Sequence, residues 1–194
     1  VQGRTLYQMR RPLPTGMPVT ITTRSFVPGD DDDEWLRVNN RAFADHGEQG
    51  GWTIDTFCQR QQEPWFDVDG FRVLDADTLG AVPRSDGRPS DATGAGRMAG
   101  FCWTKVHPAT GDEQALGEIY VIAVDPDFHG RGLGAQLTLA GLDHLAGAGI
   151  EVGMLYVDAD NTAAVTMYQR LGFSIHSTNA AFVADIAATG APGS

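Results

Sequence analysis

VIAVDPDFHGRGLG, residues 121–134, is the stretch that decides the fold of this chain. Its first four residues are apolar and end a strand, Asp125 and Pro126 make a turn, and a glycine-rich loop then opens a long helix. The first backbone N–H groups of a helix have no partner inside it, and the helix dipole is positive at that end. Glycines at 130, 132 and 134 let this backbone approach a ligand without an intervening Cβ. The pattern predicts a pyrophosphate site, although an ordinary strand-to-helix turn has the same pattern.

Outward from this stretch, hydrophobic periodicity predicts alternating strands and helices. The segment 116–124 is apolar on both faces, as a strand covered on both sides would be. This order of elements predicts one α/β unit. Strands are predicted at 6–14, 19–24, 71–75, 98–106, 116–124, 154–157, 173–177 and 181–186, and helices after the acidic run 30–34, from Thr53, at 132–148, and from the capping residue Asn161 to Leu171.

Three segments are expected to stand apart from this unit, which we place at residues 17–187. Residues 1–16 open without Met, and they hold a strand and a proline-bounded linker, which we expect to be the remnant of a preceding domain. Residues 76–96 are rich in Gly, Pro, Ser and Asp, so they bury too little apolar surface to offset their ordering entropy. We predict a flexible insertion there and a disordered tail at 188–194.

Composition excludes several classes of function. With 25 acidic residues against 14 basic ones, the formal net charge is −11, which disfavours nucleic acid and anionic membranes as partners. There is no run of 18 apolar residues and no secretion signal, so a cytoplasmic protein is expected. Cys58 and Cys102 lie far apart with no Cys or His cluster, which predicts neither a disulfide nor a metal site.

Two further residues are candidates for chemistry. Glu118 stands in an apolar strand, where burying an ionised carboxylate is costly without a partner. It therefore either opens onto a cleft or lies at a solvated strand start. Tyr168, on the helix that follows Asn161, is either a functional hydroxyl or a core aromatic at i, i+4 from Ala164.

The segment 129–134, HGRGLG, resembles the acyl-CoA signature of the Gcn5-related N-acetyltransferase (GNAT) family, which has Arg or Gln where this chain has His129. Residues 160–173, DNTAAVTMYQRLGF, resemble the family's later Asn and Tyr helix. The resemblance implies the GNAT fold, a mixed central sheet of about seven strands with helices on both faces, and acetyl-CoA as co-substrate. It implies that Glu118 is the general base and that Tyr168 protonates the departing thiolate. The residues expected to hold acetyl-CoA are Ile122, Ala123, Val124, His129, Gly130, Arg131, Gly132, Leu133, Gly134, Ala135, Asn161, Thr162, Ala163, Ala164, Val165 and Thr166.

Aminolysis of a thioester needs no enzyme nucleophile. A free α-amine has a pKa of roughly 7.7–8.0, so a Glu need remove only one proton to expose the attacking lone pair. Backbone N–H groups around residues 122–124 can polarise the thioester carbonyl. Cys102 is disfavoured as a covalent nucleophile, because no His or helix start accompanies it in the sequence.

Residues 6–183 resemble more closely the C-terminal half of the mycothiol synthase family, which carries two GNAT domains in tandem. The similar phrases are QMRRPLP at 8–14, NRAF at 40–43, EQGGW at 48–52, GFCWTKVH at 100–107, GEIYV at 117–121 and LYVD at 155–158. The resemblance implies a preceding N-terminal GNAT-like domain as partner. It also implies acetylation of a small-molecule amine, the cysteinyl amine of desacetylmycothiol (Cys-GlcN-inositol), in the last step of mycothiol biosynthesis.

The same resemblance places Glu48, Lys105 and Tyr156 beside Glu118 at substrate-binding positions. The structural alternatives are a surface carboxylate for Glu48, a solvated strand residue for Lys105 and a core aromatic for Tyr156. Two other functions stay open, namely a GNAT enzyme acting on protein N-termini or another small amine, and a non-catalytic acyl-CoA-binding module.

Overall fold

A seven-stranded mixed sheet organises the chain, in a computed structural model that describes residues 4–44, 50–80 and 96–181. The strand order is β2-β3-β4-β5-β6-β1-β7, and β5 and β6 are the neighbours that run parallel. The predicted mixed α/β sheet is confirmed. Its elements are β1 (Arg4–Pro12), β2 (Arg24–Ser25), α1 (Asp32–Ala42), α2 (Ile54–Gln61), β3 (Phe71–Asp75), β4 (Met98–His107), β5 (Leu116–Val124), α3 (Leu133–Gly147), β6 (Val152–Asp158), α4 (Thr162–Arg170) and β7 (Ser174–Ala181).

Helices cover both faces of the sheet, because side chains along a strand point alternately to opposite sides. On β4, Phe101 and Trp103 belong to the aromatic core under α1 and α2, where Trp103 stacks on Phe71 with ring centroids 4.7 Å apart. Cys102, which lies between them on the same strand, belongs to the core under α3 and α4. The central strands are therefore buried on both sides. We call these two sides the α1/α2 face and the α3/α4 face.

Two helices begin where the sequence predicts. The Thr53 side chain accepts a hydrogen bond from the backbone N–H of Thr56 and caps α2. The side-chain oxygen of Asn161 accepts one from the N–H of Ala164 and caps α4, at 3.1 Å. Each cap satisfies a backbone donor that a helix start otherwise leaves unpaired.

The strand predicted at 19–24 is wrong for most of its length, since β2 contains two residues, Arg24 and Ser25. Val19 and Ile21 pack against the α3/α4-face core, and the N–H of Thr20 donates to Oε1 of Gln136 at 2.7 Å. The alternation of apolar and polar residues thus reflects burial against a helix rather than pairing in the sheet.

The chain end also differs from the prediction. The strand expected at 173–177 is β7, which runs on to Ala181 and pairs with β1 from Ser174 to Ala181, and the strand expected at 181–186 is described only at its first residue. Residues 182–186 lie outside the described residues, as does the tail at 188–194. In the expected insertion, Ala76–Leu79 forms a 3-10 turn, and residues 81–95 lie outside the described part.

Strand β1 lies inside the sheet, hydrogen-bonded to β6 on one side and to β7 on the other. It falls in the segment 1–16 that the sequence analysis sets apart from this unit. The guanidinium of Arg11 is buried and donates to the carbonyls of Leu171 and Thr15, which joins β1 to the end of α4. In the structure, β1 is therefore part of the same sheet as the decisive strand β5.

Candidate active site

The parallel strands β5 and β6 stay together over a short stretch only. They pair at only two positions, Gly117 with Gly153 and Glu118 with Met154. Beyond Glu118, β5 stays with β4 while β6 stays with β1, so the facing edges of β5 and β6 separate. At the same point the register of β4 and β5 shifts, which leaves Tyr120 as an extra residue in a bulge. Glu118 therefore lies where the two strands part.

The glycine-rich loop lies between the end of β5 and the start of α3. Gly130 and Gly132 have φ angles of +76° and +71°, which side-chain-bearing residues rarely adopt. A Cβ at either position would meet no atom within 4 Å, so the backbone is open to a ligand. A helix start with an accessible glycine backbone is suited to hold a phosphate group.

The loop is anchored to β5 by His129. Its Nε2 lies 2.9 Å from the carbonyl oxygen of Val124, to which it donates a hydrogen bond, while much of the side chain stays exposed. Arg131 is exposed as well and reaches the carbonyl of Leu79 at 3.4 Å.

A buried ion cluster fixes the turn before the loop. Asp125 is fully buried and contacts Arg37, Arg41 and Arg97, and its side chain also accepts from the N–H of Asp127 at 2.9 Å. Hydrogen bonds from Arg41 and Arg97 lower the pKa of Asp127 to about 2. The turn therefore carries paired charges at neutral pH.

Tyr168 lies on the α3/α4 face, in the core beneath α4. Its ring packs edge-on against Phe173 with centroids 5.8 Å apart, and burial raises its pKa above the usual value. The hydroxyl is consequently protonated at neutral pH.

Glu118, Lys105 and Tyr156 lie on the opposite, α1/α2 face. Lys105 pairs with Glu118 across β4 and β5, and Glu118 pairs with Met154, two residues before Tyr156. The ammonium of Lys105 lies 4.5 Å from the ring centroid of Trp65, a cation–π contact. Glu118 is only 8% exposed, so its carboxylate needs a polar partner.

That partner is His107, which the sequence analysis does not single out. Nε2 of His107 lies 2.7 Å from Oε2 of Glu118. The sequence contains a signal for His107, because this residue follows Lys105 by two positions on the same strand and so shares its face.

A pocket of about 290 Å³ adjoins this pair. Tyr156 projects into it from β6 and is 45% exposed, so it is not a core aromatic. Its hydroxyl accepts a hydrogen bond from Nε2 of Gln8 at 2.8 Å. The other lining residues are Arg10, His107, Pro108, Thr110, Glu113, Gln114, Leu116 and Met154.

The structure thus brings three of the four expected substrate-binding residues to one face, and the fourth, Glu48, lies outside the described residues. Tyr168 is on the other face of the sheet, in the core of the α3/α4 face. Cys102 is fully buried, and burial raises the pKa of its thiol to about 12, which argues against a nucleophilic role. Within the described ranges, no group of three His, Cys, Asp or Glu side chains could hold a metal ion, and no helix is long and apolar enough to span a bilayer.

Comparison with known proteins identifies close relatives. The chain is 47% identical over 179 residues to the mycothiol acetyltransferase of Thermobispora bispora, covering 89% of this chain and 55% of that protein. It is 46% identical over 183 residues to the mycothiol acetyltransferase of Streptomyces coelicolor, covering 91% and 52%. The chain therefore spans about half the length of the curated relatives that it matches.

Fold and family comparisons agree with these relatives. The crystal structure of a GCN5-related N-acetyltransferase from Sphaerobacter thermophilus superposes with a TM-score of 0.63 at 22% identity, covering 91% of this chain and 50% of that one. At that identity the match shows the fold alone. Residues 39–173 match the model of the acetyltransferase (GNAT) family. The chain belongs to the GNAT family of acetyltransferases.

Proposed function

We propose that this chain transfers an acetyl group from acetyl-CoA to the cysteinyl amine of desacetylmycothiol, the last step of mycothiol formation. The observation that carries the proposal is the placement of the His107–Glu118 pair where β5 and β6 part, beside a polar pocket that contains Tyr156. Similarity to mycothiol acetyltransferases supports the choice of acceptor.

The loop and helix starts fit acetyl-CoA. The accessible backbone at Gly130 and Gly132 and the start of α3 suit a pyrophosphate, and the start of α4 at Asn161 offers further N–H donors. We assign residues 129–135 and 161–166 to this role. When bound, acetyl-CoA supplies an activated acetyl thioester.

Glu118 is the general base of the proposed reaction. Because His107 engages Oε2, the other carboxylate oxygen is left to accept a proton from the acceptor amine, directly or through water. The neutral amine then attacks the thioester carbonyl directly. Lys105 and Tyr156, on the same face, hold polar groups of the acceptor, and we keep Glu48 as a proposed fourth contact.

The remaining two roles concern the developing charges. Beyond Glu118, the β5 edge that faces β6 makes no ladder with it, so N–H groups within 122–124 can stabilise an oxyanion. Tyr168 is assigned the proton for the departing thiolate because it stands at the matching Tyr position of the family's later helix, and its phenol is protonated at neutral pH.

An acetyl-CoA turnover assay over a panel of amines tests this function. The assay uses the natural full-length protein, for which we propose a preceding GNAT-like domain. The conjugate should exceed free cysteine and a short peptide in kcat/KM by about 10²-fold or more, because sites built to pair hydroxyls discriminate strongly against ligands that lack them. Equal or faster transfer to the peptide would reject this acceptor. Acetyl-CoA binding without turnover on any amine would indicate a binding module instead.

A further inference from the structure

Strand β1 forms one wall of the pocket beside Glu118. In the β1–β6 ladder, Gln8 lies opposite Tyr156 and Arg10 lies opposite Met154. Met154 is in turn the partner of Glu118 across β5 and β6. Paired residues in a sheet share a face, so Gln8 and Arg10 lie on the same side as the proposed base.

Hydrogen bonds join the wall into a directed chain. Nη2 of Arg10 donates to Oε1 of Glu113 at 3.0 Å, and Nε of Arg10 donates to Oε1 of Gln8 at 2.9 Å. Nε2 of Gln8 then donates to the Tyr156 hydroxyl at 2.8 Å. Since that hydroxyl accepts from Gln8, its own hydrogen is left to donate to a ligand. The chain therefore orients Tyr156 as a donor towards the pocket.

The charges that line the pocket are balanced. Arg10 is paired with Glu113, and Nε2 of His107 contacts a carboxylate oxygen of Glu118. Among the described lining residues no cation is left without an acidic partner, so nothing there favours a phosphate or carboxylate. The polar atoms that remain are amide, hydroxyl and imidazole groups, which suit the donors and acceptors of a neutral ligand with several hydroxyls.

Position and size agree with a fragment of the acceptor. His107 both lines the pocket and contacts Glu118, so a group held in the pocket has its neighbouring atoms close to the base. The volume of about 290 Å³ is just below the roughly 300–1,000 Å³ common for small-molecule sites, as a subsite for part of a ligand would be.

We infer that Gln8 and Arg10 are specificity-determining residues, which recognise the neutral, hydroxyl-bearing part of the acceptor through the hydrogen-bond chain to Tyr156. This inference rests on the proposed acetyltransferase function. It adds strand β1 to the acceptor site, and it predicts that this site prefers uncharged polyols to phosphorylated sugars.

Arg10→Met and Gln8→Leu test the inference when each is assayed with two acceptors, the full cysteine–glucosamine–inositol conjugate and cysteine amide, which lacks the hydroxyl-bearing part. We expect kcat/KM for the conjugate to fall about 10-fold or more, and kcat/KM for cysteine amide to stay within about 2-fold, because the lost hydrogen bonds serve only the larger ligand. Arg170→Met, at an exposed position near the end of α4, is the matched control and should change neither value.

A double-mutant cycle tests the hydrogen bond from Gln8 to Tyr156. If Gln8 acts by orienting Tyr156, the Gln8→Leu and Tyr156→Phe losses should not add, and the double variant should resemble Tyr156→Phe alone. Glucosamine 6-phosphate serves as an anionic acceptor. If the wild-type protein acetylates this amine in preference to the conjugate, the selection of uncharged ligands is wrong.

The possible outcomes distinguish a failure of the proposed function from a failure of the role given to β1. If the wild-type protein acetylates no amine, the proposed function itself is wrong. If it acetylates the conjugate, but Arg10→Met and Gln8→Leu lower kcat/KM equally for both acceptors or for neither, the proposed function stands and the role of β1 is rejected. Thermal unfolding of each variant shows whether a loss comes from folding instead, and Gln8→Asn, which keeps an amide, should then retain the preference for the conjugate.

Discussion

Nε2 of His107 and Oε2 of Glu118 lie 2.7 Å apart, and this contact links the pocket to the parting point of β5 and β6. The two residues stand on neighbouring antiparallel strands, so the sheet itself sets their separation. A buried carboxylate with one oxygen held in this way directs its other oxygen towards the acceptor amine in a fixed orientation. The pair is therefore the centre of the reaction that we propose.

Glu118→Gln should lower kcat by about 10²-fold or more near neutral pH, because loss of a general base typically costs 10²–10⁴ in rate. The affinity for acetyl-CoA should be nearly unchanged, since the base acts after binding. Steady-state kinetics and calorimetry measure the two quantities. Raising the pH should partly restore turnover, as more acceptor amine is then already neutral. A rate that stays equally low at high pH would favour an anchoring role for Glu118.

His107→Ala should lower kcat about 10-fold while the KM for acetyl-CoA is unchanged, because a hydrogen bond to a charged group contributes about 1.5–3 kcal/mol. His107→Gln keeps an N–H donor and should recover much of the loss. Because His107→Ala leaves the buried Glu118 carboxylate without this partner, it should also destabilise the fold by about 1–3 kcal/mol, and His107→Gln should destabilise it less. If both variants lose activity equally, the imidazole has a role other than holding Glu118.

Local signals in the sequence predicted most of the fold. The caps at Thr53 and Asn161 depend on neighbouring residues alone, and the bounds of β3 and β5 follow from short apolar runs. Strand pairing is not local. Nothing within residues 4–12 shows that β1 lies between β6 and β7, and the alternation at 19–24 cannot distinguish burial against a helix from pairing with a strand.

The site was predictable to a different extent. Glu118 could be singled out because burying a carboxylate in an apolar strand is costly without a partner. The glycine loop could be singled out because it precedes a helix. His107 and Gln8 are ordinary polar residues near strand ends, and their importance comes from neighbours that are distant in sequence. Such residues are found only when the register of the sheet is known.

Gly132→Val should abolish acetyl-CoA binding. Gly132 has a φ of +71°, so a β-branched residue would either strain the backbone or move the loop. Its Cβ would also stand in the open space above the start of α3. Isothermal titration calorimetry measures the loss, and circular dichroism checks the fold. Gly147→Ala, near the end of the same helix with no atom within 4 Å of the new Cβ, is the control and should bind normally. Unchanged affinity in Gly132→Val would remove the loop from the site.

Tyr168→Phe should reduce kcat about 10-fold or more with little change in either KM, because it removes only the proton offered to the leaving thiolate. The ring and its contact with Phe173 are kept, so stability should change little. A thioester with a more acidic thiol needs less protonation, and it should react at nearly equal rates with the variant and the wild type. If the defect persists with such a donor, Tyr168 serves packing rather than proton transfer.

Asp125→Asn should destabilise the fold by about 3 kcal/mol, because removing one member of a buried ion cluster leaves its partners uncompensated. Asp125 is 0% exposed and meets three arginines whose side chains are 25–39% exposed, so the loss should fall at the low end of the range for buried pairs. Urea unfolding measures the change in midpoint at constant slope. Asp127→Asn is the matched control, since Asp127 is 40% exposed and exposed pairs contribute at most about 1 kcal/mol. Because Asp125 fixes the turn before the glycine loop, its variant should also bind acetyl-CoA more weakly below the unfolding range. Equal stability losses in the two variants would show that the cluster is a surface network rather than the anchor of the loop.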